Sequence, residues 1–164
     1  MATAPTSKPT RPRRDKQAEA AEGVDIGTLD DSVGYHLRRA QLAVFDDFIR
    51  TLSPVDLRPA QFSVLTVIEH NPGLSQVQVC DALGIQRTNF VPLLDELEER
   101  GLARRERGQD RRSYALYLTD AGHDLMKWVR RAYAGHERRI NEMIGADGYD
   151  QIIRLLVKLA DLHR

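Results

Sequence analysis

Residues 109–122 read Gln-Asp-Arg-Arg-Ser-Tyr-Ala-Leu-Tyr-Leu-Thr-Asp-Ala-Gly, and that order constrains the fold more than any other stretch of the chain. A turn through Gly108, Gln109, Asp110 and Arg111 joins residues 102–107 to residues 113–118. Both runs read as strands, so a hairpin is expected. Thr119 then stands where a helix wants an oxygen-bearing cap. The expected product is a short arginine-tipped ribbon that runs directly into a helix.

What precedes the ribbon is equally informative. Ser75 can cap a short helix carrying Val77, Val79, Cys80 and Leu83, and Gly84 occupies the left-handed closing position. A few residues on, Phe90, Leu93, Leu94 and Leu97 repeat at i, i+3, i+4, i+7 until Arg100-Gly101. Two short helices about a tight glycine turn make a helix-turn-helix. Another helix comes before them, with Pro59 in its first turn, Phe62, Leu65, Val67 and Ile68 along it, and a stop at Asn71-Pro72-Gly73. Helix-turn-helix followed by a hairpin is a winged helix, mainly α with a small β wing.

Long helices flank this lobe. Val33, Leu37, Ala40, Val44, Phe48 and Leu52 predict one amphipathic helix over residues 30–52, capped by Asp30, Asp31 or Ser32 and ended by Ser53-Pro54. Thr119 opens another through Leu125, Trp128, Val129, Ala132 and Ile140. A break from Gly145 to Gly148 precedes a last helix with Ile152, Ile153, Leu155, Leu156 and Leu159. The winged lobe needs only residues 59–118, so the flanking helices must bury their apolar faces elsewhere, most simply against a second copy. The expected organisation is a disordered basic tail over 1–28, where Lys8 to Lys16 lie among prolines, and a dimerisation helix over 29–58. The DNA-reading lobe follows over 59–118, and helices over 119–164 complete the dimerisation region.

Composition narrows the function. The 24 basic and 24 acidic residues cancel, which argues against binding nucleic acid through bulk charge. Distribution says otherwise, because residues 100–112 hold six arginines against Glu106 and Asp110. No apolar run approaches the roughly 18 residues of a membrane span and no secretion signal is seen, so a cytoplasmic protein is expected. Asp46, Asp47, Glu98 and Glu99 read as solvated polar faces, and no catalytic constellation, metal spacing or cofactor motif appears, which predicts a non-enzyme.

Leu102, the D-x-R of Asp110 and Arg112, and the L-T-D-A-G of residues 118–122 resemble the wing signature of the MarR family of bacterial transcription regulators. The resemblance covers residue 30 to the C-terminus. It implies a homodimer that binds an inverted-repeat operator in double-stranded DNA, a repressor by default, controlled by a small-molecule effector. Gln86, Arg87, Thr88 and Asn89 begin the second helix of the helix-turn-helix, where Arg can take guanine and Asn adenine; capping is the alternative for Gln86 and Thr88. Ser75 and Gln76 can hold a phosphate, although capping explains Ser75 equally. Arg107, Arg111 and Arg112 lie on the wing, and a narrow minor groove attracts an inserted guanidinium. The resemblance assigns that role to Arg112, with Asp110 steadying the turn or an arginine. Pro92 departs from the family pattern: it removes a backbone bond, and a tilt there would shift base reading onto Arg87 and Asn89.

The same resemblance implies an effector cleft between the dimerising helices and the lobe. Candidates are His36, Arg38 and Arg39 on the first helix, Phe62 on the second, and Trp128, Arg131 and Tyr133 on the helix after the wing. An aromatic acid or an aryl-coenzyme A thioester suits this aromatic and cationic mix. Residues 87–97 are also similar to the subgroup that represses hydroxycinnamate catabolism and responds to the coenzyme A ester. Two alternatives stand beside this reading: a winged-helix protein-interaction module, and a redox regulator acting through Cys80. Cys80 lies on an apolar helix face, where an inert core thiol is the simpler account.

Overall fold

The computed structural model describes residues 24–107 and 114–162. They fall into two units, one ending at His36 and the other running from Leu37. In the first, a 3-10 turn over Gly27–Asp31 leads into α1 (Val33–Leu52), and His36 Nε2 lies 2.6 Å from the Asp30 carbonyl oxygen. That turn takes in the last two residues of the segment expected to be tail. Met1 to Gly23 lies outside the described residues.

The second unit holds the rest of α1, then α2 (Pro59–His70), α3 (Gln76–Leu83), α4 (Arg87–Glu99), β1 (Ala103–Arg107), β2 (Tyr114–Leu118), α5 (Asp120–Ile144) and α6 (Ala146–Ala160). Each lobe boundary has a local cause. Pro59 fills the first position of α2, where its missing N–H costs nothing, and the Gln61 side chain accepts from the Arg58 amide at 3.1 Å. Ser75 and Gln78 close a capping box on α3, and Gly84 ends that helix at φ 63°.

β1 and β2 pair antiparallel, with Ala103 opposite Leu118 and Arg107 opposite Tyr114. The segment after α2 joins this ribbon. Gly73 N donates to the Leu116 carbonyl at 2.8 Å, and Leu116 N donates to Leu74 at 2.9 Å. The expected turn tip, residues 108–113, lies outside the described residues.

The core sits where α2, α3, α4, β2 and α5 meet. Val64, Leu65 and Ile68 of α2, Val79 of α3, Phe90, Leu94 and Leu97 of α4, and Leu116 of β2 are fully buried. Each large apolar side chain so placed is worth roughly 1.5–3 kcal/mol relative to exposure. Met126 and Val129 of α5 complete the packing.

The L-T-D-A-G motif forms a joint between wing and α5. Thr119 N donates to Leu102 O at 3.1 Å, and the Thr119 hydroxyl donates to Gly101 O at 2.5 Å while accepting from Gly122 N at 3.0 Å. Gly122 is buried against the same turn, and a Cβ there would stand 2.1 Å from the Leu102 carbonyl oxygen. Only glycine fits that approach.

The break between α5 and α6 is shorter than its four-residue expectation. Gly145 alone, at φ 74°, separates them, and Gly148 lies inside α6. One reversing residue is enough when it has no Cβ.

Candidate nucleic-acid interface and effector face

The helix-turn-helix presents one polar end. Gln86, Arg87, Thr88 and Asn89 are all exposed at the start of α4, while Phe90 behind them is fully buried and anchors that end. Gln86 occupies the N-cap position without a side-chain capping bond, and Thr88 lies inside the helix. Capping therefore accounts for neither side chain. Ser75 differs, because its hydroxyl is engaged with Gln78, and Gln76 opens α3 half-buried.

α4 runs unbroken from Arg87 to Glu99 with Pro92 inside it. Pro92 lacks the N–H that would reach the Thr88 carbonyl, yet its side chain is exposed and the helix continues past it.

The arginine cluster divides in two. Arg100 donates to the Asp56 and Val55 carbonyls, each at 2.8 Å, clasping the α1–α2 connection. Arg104 bonds Leu118 O at 2.6 Å and Glu106 at 2.8 Å, and lies over the Tyr117 ring. Arg105 pairs with Asp95 and Glu98 of α4. Three of the six arginines that seemed to demand a nucleic-acid partner thus have intramolecular ones. Arg107 is exposed at the end of β1, and Asp110, Arg111 and Arg112 lie outside the described residues.

Two carboxylates read as solvated prove to be structural. Glu98 accepts from the Arg105 amide at 2.8 Å. Asp47 joins α1 to α5, lying 2.7 Å from His136 Nδ1 and 2.7 Å from Arg139, which also donates to the Thr51 hydroxyl at 2.6 Å. The Arg139 guanidinium, followed by His136, holds the Asp47 carboxyl below its ordinary range. Solvated and paired acids look alike in sequence: the Asp47 partners lie 89 and 92 residues away, and the Glu98 partner, 7 residues on, is brought back only by the turn between α4 and β1.

An aromatic cluster adjoins this pair. Phe48, Phe62, Tyr133 and His136 form a chain of ring contacts in which each of five pairs lies 4.7 to 6.1 Å apart, centroid to centroid, linking α1, α2 and α5. Phe62 and Tyr133, two of the effector candidates, are packed against the core here; Phe48 and His136 were not singled out for a ligand. Burial, then hydrogen bonding to Glu137, pushes the Tyr133 hydroxyl pKa up. Tyr149 of α6 donates to the same carboxylate. Trp128 and Arg131 are exposed on α5, and Arg38 and Arg39 are exposed on α1. His36 belongs to the first unit, its ring 5.3 Å from that of Tyr35.

Cys80 is buried, and burial pushes its thiol pKa up against the opposing charge of Arg87. A buried thiol with a raised pKa is a poor redox sensor, which weighs against the Cys80 alternative.

Comparison with known proteins decides the lineage. A family model described as MarR family matches residues 55–113. A Thauera aromatica protein named as a transcriptional regulatory protein for the hcr operon is 32% identical over 135 residues, 81% of each chain. The chain belongs to the MarR family. Among solved MarR structures, the transcriptional repressor CouR bound to a 23-mer DNA duplex is 45% identical, with a TM-score of 0.80 over 84% of this chain and 98% of that one. CouR bound to p-coumaroyl-CoA is 42% identical, with the same TM-score over 84% and 97%. The winged-helix expectation is met in element order and in wing topology. Among the described residues no helix is long and apolar enough to cross a membrane.

Proposed function

We propose that the chain is a ligand-released transcriptional repressor. It binds an inverted-repeat operator as a homodimer and lets go when an aryl-coenzyme A thioester or a related aromatic acid binds. The observation that carries this reading is the pair of CouR structures, one with duplex DNA and one with p-coumaroyl-CoA, each matching over 84% of this chain at above 40% identity.

In this reading residues 59–118 are the DNA lobe. Gln86, Arg87, Thr88 and Asn89 read the major groove, Arg112 enters the minor groove with Arg107 and Arg111 beside it, and Asp110 steadies the tip. Ser75 and Gln76 sit at the phosphate-facing start of α3. The exposed cations Arg38, Arg39 and Arg131 suit phosphates of a coenzyme A moiety, and the aromatic surfaces of Phe62, Tyr133 and Trp128 suit an acyl ring. Residues 29–58 and 119–164 supply the dimer seam. Support for that seam comes from α6, none of whose residues is buried although Leu155, Val157 and Leu159 are 50%, 60% and 42% exposed.

The DNA arm is tested by gel shift on the duplex upstream of the chain's own gene. Retardation that falls steeply with salt is expected, and none at low salt refutes it. The effector arm is tested by calorimetry with hydroxycinnamic acids and their coenzyme A esters. Heat from at least one class is expected, and silence from both refutes the effector assignment.

A further inference from the structure

The second half of α4 carries Asp95, Glu96, Glu98 and Glu99, four acids in five residues on the helix whose first half would enter DNA. Near a phosphate backbone each is unfavourable, since it repels the polyanion. Three of them have a protein partner among the described residues. Glu96 accepts from the Gln61 amide at 3.0 Å, which fastens α4 to α2. Asp95 and Glu98 both serve Arg105. The Arg105 guanidinium bonds Asp95, its buried Nε stands 3.3 Å from Glu98 Oε2 as an ion pair without a hydrogen bond, and its backbone amide donates to the other Glu98 oxygen at 2.8 Å.

Arg105 lies in the middle of β1, opposite Leu116, with only 23% of its side chain exposed. It is thus turned inward to the recognition helix and is poorly placed for a phosphate. The planar guanidinium fork can span two carboxylates at once, which a lysine ammonium does less well. No other ion pair among the described residues joins α4 to the ribbon.

Resting on the DNA-binding reading above, we propose that Arg105, held between Asp95 and Glu98, is a positioning residue that fixes the wing against the recognition helix and so sets the preference for operator over other DNA. The physical basis is bivalency. A helix and a wing engage one duplex together only if their mutual geometry matches it, and a rigid link makes the second contact nearly intramolecular. Leu116 and its bonds to Gly73 and Leu74 keep the base of the ribbon on the lobe, so loss of the Arg105 link loosens the pitch of β1 against α4 without freeing it, and phosphate binding without sequence preference survives.

The test uses a duplex selected by the full-length wild-type chain from a random-sequence pool, and a scrambled duplex of equal length, both read by fluorescence anisotropy at one salt concentration. In the double variant Asp95→Asn/Glu98→Gln, affinity for the selected duplex is expected to fall about tenfold or more, while the scrambled duplex binds as before or more tightly. Acids that were only solvated would give the opposite sign, with both affinities rising on removal of negative charge. Arg105→Lys is the second variant: it keeps the charge, and it is expected to lose preference for the selected duplex with scrambled binding intact. Scrambled binding also reports that each variant is folded. Parallel changes on the two duplexes, or no change, overturn the proposal. If the wild-type chain enriches no sequence at all, the DNA-binding reading itself fails, and the inference falls with it.

Discussion

α4 and α6 carry the same kind of apolar stripe, yet α4 buries Phe90, Leu94 and Leu97 completely whereas α6 buries nothing. α1 lies between the two cases. Its C-terminal Phe48 and Leu52 are buried, while Leu42, Phe45 and Ile49 stay 41–51% exposed. The difference separates the parts of the chain that bury their apolar faces from those that leave them exposed, the faces that the proposed dimer would cover. The winged lobe buries most of its apolar surface with help from Phe48, Leu52, Met126 and Val129, and the terminal helices display much of theirs. Contiguous apolar faces left open to water are costly, and large ones commonly mark contact surfaces.

The sharpest way to break the self-sufficient half is at its tightest contact. Gly122→Val places a Cβ 2.1 Å from the Leu102 carbonyl oxygen, inside a core that cannot shift cheaply. Denaturant unfolding is expected to show a loss of about 3 kcal/mol or more. A near-neutral result would mean that the joint between wing and α5 is loose.

The complementary break is at α6. Leu155→Glu with Leu156→Glu removes two exposed apolar side chains and adds two charges, and the protomer core contains neither. Dimer dissociation is expected to rise by about a hundredfold or more, at roughly 1.5–3 kcal/mol per side chain. Sedimentation at micromolar concentration reads this as a shift to monomer. An unchanged dimer would move the seam elsewhere.

Two smaller effects sharpen the contrast. Ser75→Ala removes the α3 cap and is expected to cost about 1 kcal/mol in thermal unfolding. Any loss of DNA affinity beyond that stability cost would show that the hydroxyl also holds a phosphate. Asp47 gives the mildest test, through pH. Arg139 and His136 hold its carboxyl below the ordinary value of 3.8, so its pairing adds stability above that value. The contribution is lost as the pH falls through the lower, folded-state value. Thermal melts between about pH 5 and pH 3 are therefore expected to fall less steeply for Asp47→Asn than for wild type. Parallel acid limbs would show that the α1–α5 pair contributes nothing to folding.

Local rules reached far along the lobe because its boundaries are made by local chemistry. Pro59, Ser75, Gly84 and Thr119 act within one turn of themselves, and each does in the structure what its type and place predict. Exposure at the start of α4 followed the same logic, with Phe90 fixing which side faces inward. Reading failed where the fold, and not the side chain's own turn, chooses its partner. Arg100, Arg104 and Arg105 looked like DNA cations because their partners at Asp56, Leu118 and Asp95 become neighbours only through the fold. Asp47 looked solvated for the same reason. Among the effector candidates, aromatic packing of Phe62 with Tyr133 was visible only once α2 and α5 were side by side. The wing signature mixes two roles in one string: the L-T-D-A-G part is a packing joint, whereas Arg111 and Arg112 before it lie outside the described residues and owe their DNA role to the proposed function alone.

The account stands or falls on release. A labelled duplex carrying the upstream DNA, saturated with the wild-type chain and followed by anisotropy, is titrated with p-coumaroyl-CoA and separately with coenzyme A alone. The account predicts that the ester returns the signal to that of free duplex while coenzyme A alone does not. A duplex that stays bound through saturating ester and saturating free aromatic acid alike would contradict it.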